Sequence, residues 1–140
     1  MIIVDTNVIS ELTRQAPAPE VVFWLDSLAA DGVATTAITA AELLDGVERL
    51  PAGRRKTELA AAVHGLLSDD FQGRVLAFDE AAASRYAAIV TRRERLGRTI
   101  GVADAQIAAI CRAIGATLAT RNTDDFDETG IDLINPWKLA

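Results

Sequence analysis

Residues 1–10 read Met1-Ile2-Ile3-Val4-Asp5-Thr6-Asn7-Val8-Ile9-Ser10. Ile2, Ile3 and Val4 are β-branched and follow an apolar Met1, the pattern of a short strand buried on both faces. The apolar run stops at Asp5, and Val8, Ile9 and Leu12 then resume at helical spacing. A carboxylate therefore stands where a buried strand hands over to a helix. In open α/β sheets that carboxyl edge is where ligands bind. Burying a carboxylate costs several kcal/mol unless it is paired, hydrogen-bonded or bound to a cation. The plainer reading is that Asp5, or Asn7, caps the helix that follows.

The same alternation continues outward from this stretch. Pro19 pre-sets a helix start, and Val21, Trp24, Leu25 and Leu28 repeat i, i+3, i+4, i+7. Val33 to Ile38 reads as a second strand, running straight into Thr39-Ala40-Ala41-Glu42 and a helix through Leu50. Pro51-Ala52-Gly53 breaks the chain, and Arg54-Arg55-Lys56 opens a helix to about Ser68. Arg74 to Phe78 is a third strand, and Asp79 and Glu80 lead a long helix ending near Gly97, acids at its positive end. Gly101 precedes a helix carrying Ile107, Ile110, Cys111 and Ile114, which Gly115 ends. Thr117 to Thr120 and Ile131 to Ile134 read as the last strands, joined by a polar connection. Strands alternating with helices predict a mostly parallel sheet covered on both faces.

With 140 residues, half of them apolar and only 5% aromatic, the chain suits one domain of helices packed on a small sheet. The net charge of −6 argues against a generic nucleic-acid coat. It leaves room for an enzyme that reaches phosphate through a metal and local arginines. One cysteine, Cys111, and one histidine, His64, rule against a disulfide, a zinc site or a Cys–His dyad; both are expected to be structural. No signal peptide or membrane span is expected, and the expected location is the cytoplasm.

Most acids fall in loops or on polar helix faces. Asp5 is one exception. Glu42 has a strong structural reading, since Thr39-x-x-Glu42 forms a capping box. Asp104 lies three residues before Ile107 and seven before Cys111, on the apolar face of its helix, which a dipole interaction alone does not explain. Asn122, Asp124 and Asp125 follow the fourth strand, where turns and caps are ordinary. Taken together, these acids occupy positions that a parallel sheet brings to one edge. Carboxylates gathered there repel unless a cation is bound or some are protonated. A donor set of oxygens alone selects Mg²⁺ or Mn²⁺.

Four motifs in this order resemble the PIN-domain ribonucleases, closest to toxins of the VapBC and FitAB type. They are Ile3 to Ser10, Ile38-Thr39-Ala40-Ala41-Glu42-Leu43, Ala103-Asp104-Ala105-Gln106-Ile107-Ala108-Ala109 and Ala119-Thr120-Arg121-Asn122-Thr123-Asp124-Asp125-Phe126, followed by Ile134-Asn135-Pro136-Trp137. The resemblance spans essentially the whole chain. It implies an α/β fold, a single PIN-like domain over residues 1–140 with a five-stranded, mostly parallel sheet flanked by helices. It further implies a homodimer, Mg²⁺-dependent (or Mn²⁺-dependent) cleavage of RNA, and a small antitoxin protein as inhibitory partner. Asp5, Glu42 and Asp104 match the family's metal-site acids. Thr6 matches a hydroxyl that orients the first carboxylate. Asn122 stands where some members carry a fourth acid, with Asp125 three residues on.

The expected activity is thus that of an endoribonuclease whose metal-activated water attacks phosphate, with either Asn122 or Asp125 completing the catalytic set. Arg54, Arg55 and Lys56 are one candidate phosphate patch; Arg92, Arg93, Arg95 and Arg98 are another, for which a solvated helix face is favoured. An aspartyl-nucleophile phosphatase would need a second acid where Asn7 stands. A non-catalytic module of the same fold, docking an antitoxin or other partner, is the remaining alternative.

Overall fold

A computed structural model describes residues 1–139. Its element order is β1 (Ile2–Val4), α1 (Thr6–Leu12), α2 (Pro19–Asp26), β2 (Val33–Thr36), α3 (Ala37–Glu48), α4 (Arg54–Gly65), β3 (Val75–Leu76), α5 (Glu80–Arg95), α6 (Val102–Ile114), β4 (Thr117–Ala119) and β5 (Asp132–Ile134). The strands form one parallel sheet in the order β3-β2-β1-β4-β5. β1 is central, and the chain runs outward to β3 before returning to its other side. The strand order therefore reverses between β1 and β4, where open α/β sheets leave a crevice at the carboxyl ends.

Alternate residues of each central strand feed opposite faces. Ile3, Ala34 and Leu118 join a core with Ile89, Ile107 and Cys111 of α5 and α6. Val4, Val33 and Ala119 join another with Val8, Trp24, Val47 and Val63 of the first four helices. Burial on both faces is why these strands read as unbroken apolar runs. Gly115 ends α6 with φ 67°, a left-handed C-cap that suits a residue without Cβ and turns the chain directly into β4.

Several boundaries move from the sequence expectation. The second strand stops at Thr36, not Ile38, because the Thr36 hydroxyl accepts from the Thr39 N–H at 3.0 Å and caps α3. Thr39 is thus inside the helix, and the expected Thr39–Glu42 capping box does not form. The third strand shrinks to Val75–Leu76, and the fourth ends at Ala119. α4 stops at Gly65 and passes into a wider π-turn over Leu66–Asp70. His64 is exposed on α4, so it is not a core residue, whereas Cys111 is fully buried and free. No helix among the described residues is long and apolar enough to cross a membrane.

Candidate active site

Asp5 closes β1 and is the N-cap of α1. Its position is forced: Ile3 and Val4 must stay in the two cores, so the next residue emerges at the sheet edge. It remains 5% exposed. Oδ1 accepts from the Thr6 N–H at 2.8 Å and Oδ2 from the Thr120 hydroxyl at 2.7 Å. The capping reading of Asp5 is thus correct, yet incomplete. Each carboxylate oxygen has a second lone pair, and burial outweighs the two hydrogen bonds so that its pKa is raised.

Thr120 is the residue that sequence reading missed. The sequence pattern ends strand four at Thr120, but it lies one residue past β4 and is fully buried. Besides donating to Asp5, its oxygen accepts from Asn7 Nδ2 and from the Asn122 N–H, each at 3.2 Å. The register Val4↔Ala119 places residue 120 beside Asp5. Only that pairing, which no local pattern reveals, makes the contact visible. Asn7 also accepts from the Arg121 N–H at 3.2 Å, so α1 and the loop after β4 are tied together twice.

Thr6 was expected to orient the first carboxylate through its hydroxyl. Its backbone N–H does that instead; the hydroxyl donates to Glu42 Oε1 at 2.7 Å and reaches Thr39 Oγ1 at 3.2 Å. Glu42 is exposed on α3 and, freed of any capping duty, is fixed by this contact. Asp104 occupies the first turn of α6, half-buried, where Ala105, Ile107 and Ala108 anchor the helix to the core. Its pKa is pushed up to about 6, by burial first and then by the negative charges of Asp5, Asp125 and Glu42; the charge of Arg93 acts the other way.

Asp5, Glu42, Asp104 and Asn122 line one cleft of about 490 Å³. Asp125 does not line it. It lies in the helical turn Thr123–Phe126 beside an adjoining hollow that shares Arg121 and Asn122, and raises the pKa of both Asp5 and Asp104 through space. The cleft also contains Glu11, which is buried and held below the usual carboxylate range by the Ala18 N–H and Arg14.

The basic patches fare differently. Arg93 is buried, and its guanidinium donates to the carbonyls of Arg98, Asp125 and Asp127 at 2.6, 2.9 and 2.9 Å. Arg92 pairs with Glu128 and Arg98 with Asp127. Arg93 is thus a structural brace, Arg92 and Arg98 are engaged in surface ion pairs, and Arg95 is exposed. In the other patch Arg54 pairs with Glu58, and Lys56 donates to the Glu48 carbonyl. The cations that line the cleft are instead Arg14 and Arg121, neither of which the sequence reading had singled out.

A parallel sheet in this order, with acids converging at its carboxyl edge, is the architecture of a PIN-fold protein. The chain belongs to that family: the PIN domain model matches residues 2–132. VapC ribonuclease Y4jK of Sinorhizobium fredii is 41% identical over 140 residues, the whole of both chains. Toxin FitB of Neisseria gonorrhoeae is 42% identical over 137 residues, 98% of this chain and 99% of FitB. Among solved structures, FitAcB from Neisseria gonorrhoeae superposes with a TM-score of 0.92 at 42% identity, covering 99% of this chain and all of that one. VapBC2 from Rickettsia felis, bound to a DNA fragment from its promoter, gives 0.81 at 27%, covering 96% and 98%. Within the family the likeness is to VapC- and FitB-type toxins of toxin–antitoxin systems.

Proposed function

We propose that this protein is the toxin of a toxin–antitoxin pair and acts as a metal-dependent endoribonuclease, with residues 1–140 working as one nuclease unit. The observation that carries the reading is the convergence of Asp5, Glu42 and Asp104 from separate segments on one cleft, with Asp104 raised to about 6. Packing like charges together gives a fold nothing. It suits a divalent cation and, through it, a phosphate.

The donor chemistry fits Mg²⁺ or Mn²⁺. Among the described residues no three His, Cys, Asp or Glu side chains are gathered closely enough to cage an ion. Mg²⁺ needs no such cage, since it typically takes one or two carboxylates and keeps several waters. Bound here, the ion would stabilise charge on the scissile phosphate and lower the pKa of a water. Asp5 and Asp104 would hold it directly. Asp5 is held rigid by Thr6 and Thr120, so one carboxylate is oriented before anything binds. Glu42, held by the Thr6 hydroxyl, would accept a hydrogen bond from the attacking water and orient it. Asn122 adds a donor without charge, and Asp125 adds negative potential from the neighbouring turn.

The partner reading rests on the relatives: the matched structures of FitAB and VapBC are toxin–antitoxin complexes, some on DNA. An antitoxin protein is accordingly the expected partner, and a homodimer the expected toxin assembly. The test is incubation of purified protein with total cellular RNA in Mg²⁺ and in chelator, mapping new ends. Metal-dependent cleavage that disappears in Asp104→Asn, with an unchanged fold, is the expected result. Cleavage at the wild-type rate in Asp104→Asn overturns the assignment.

A further inference from the structure

Arg121 follows Thr120, the residue that pins Asp5, and so begins the wall of the cleft next to the carboxylates. Its guanidinium carbon lies 4.9 Å from the centroid of the Trp137 ring. Trp137 is half-buried and packs against the core shared by the first four helices. Asn135 fixes both partners: its Oδ1 accepts from the Trp137 N–H at 2.9 Å, and its Nδ2 donates to the Arg121 carbonyl at 3.4 Å. A surface arginine normally loses much rotamer entropy on binding a ligand. Here a cation–π contact with a core-anchored indole already restricts it.

Stacking engages the flat face of a guanidinium and leaves its N–H edges available. Among the described residues no acceptor takes a hydrogen bond from the Arg121 side chain, and no carboxylate forms an ion pair with it. The other cleft cation, Arg14, is hydrogen-bonded to Glu11. The negative wall of the cleft thus faces one pre-oriented fork of unpaired donors, the geometry that grips a phosphate bidentately.

Resting on the nuclease reading above, we propose that Arg121, stacked on Trp137, is a substrate-positioning residue that grips a backbone phosphate of the RNA strand flanking the one that is cut. Arg14, the other cleft cation, is already engaged by Glu11, and the metal-free carboxylates repel a polyanion. A fixed cation at its rim sets which phosphodiester lies over the carboxylates, and so contributes to binding more than to bond breaking.

The experiment is cleavage of a labelled mixed-sequence single-stranded RNA pool in Mg²⁺, read as kcat and KM over a range of salt. Melting temperature and Mn²⁺ titration are run on every variant. Absence of cleavage by the wild type defeats the nuclease reading itself. Given wild-type cleavage, Arg121→Met should raise KM about tenfold with a smaller change in kcat, and flatten the log–log salt dependence of kcat/KM by roughly 0.7, one single-strand phosphate contact. Arg121→Lys should keep the salt slope yet still raise KM, because charge without the planar fork is a poorer grip. Trp137→Ala should behave like Arg121→Lys, and Trp137→Phe, which retains a ring, should stay near wild type. Wild-type KM and salt slope in Arg121→Met, a loss confined to kcat, or an unaffected Trp137→Ala each overturns the proposal. A raised KM with an unchanged salt slope in Arg121→Met also overturns it, since that points to base stacking.

Discussion

Thr6 binds Glu42 through its hydroxyl, 2.7 Å from Oε1, while its backbone N–H binds Asp5. One residue therefore orients two carboxylates that lie 37 positions apart in the chain, through two different atoms. Replacing Thr6 with Val removes only the hydroxyl and keeps the β-branch and the N–H. Thr6→Val should cut RNA cleavage roughly tenfold or more through a mobile Glu42, while Thr6→Ser restores it. A melting temperature within a few degrees of wild type in both variants would separate this from misfolding. Full activity in Thr6→Val would show that Glu42 needs no anchor.

The raised carboxyl of Asp104 has a consequence for stability. Folded, its pKa is about 6, against 3.8 for the free side chain, so between those values the native chain holds a proton that the unfolded chain has released. Its contribution to stability is fully present below about pH 4 and is lost as the pH rises through about 6. After discounting for solvent screening the loss should be on the order of 1–2 kcal/mol. Metal-free denaturation from pH 4 to pH 7 checks this, with Asp104→Asn as reference. The variant should gain on the wild type across that window; parallel curves would refute it.

Arg93 tests how the site is braced. Its guanidinium bonds carbonyls before α6 and along the turn that carries Asp125. Arg93→Met leaves the carbonyls of Arg98, Asp125 and Asp127 without their partner, and hydrogen bonds to a charged group are worth about 1.5–3 kcal/mol. We expect destabilisation of roughly 3 kcal/mol by urea denaturation. Arg95→Met, on an exposed stretch of the same helix, should change stability by less than about 0.5 kcal/mol.

Metal stoichiometry is the fourth expectation. Asp5, Glu42 and Asp104 carry about −3 when ionised, which suits one divalent ion before RNA arrives. Calorimetric titration of Mn²⁺ should give one tight site per chain in RNA-free protein. Asp5→Asn should weaken it at least tenfold without lowering metal-free stability, and Asn122→Asp should strengthen binding of a second ion. Two equivalent tight sites in the wild type would contradict the charge balance.

The fold was legible because burial on both sheet faces leaves short apolar strands, and helical periodicity marks the layers between them. Asp5, Glu42 and Asp104 stood out since each is a charge at a position where structure alone does not call for one. What sequence could not show was which hydroxyl met which acid. Thr36 and Thr39 both look like caps, and only backbone geometry at the end of β2 decides between them. Thr120 and Asp5 lie 115 positions apart, so no local pattern joins them. Arg93 and Arg121 both sit in basic or polar stretches, and burial alone separates the brace from the cleft cation.

The central place of β1 also orders events in time. Its strand is made before β4, which completes its pairing and begins at Thr117, and the hydroxyl that binds Asp5 Oδ2 comes from residue 120. During synthesis the Asp5 carboxylate therefore has only its neighbour, the Thr6 N–H, to hold it until Thr120 has been made. Fragments from interrupted translation carry the first two acids but lack their scaffold. The cleft is therefore assembled only after β4 and the loop beyond it have joined β1.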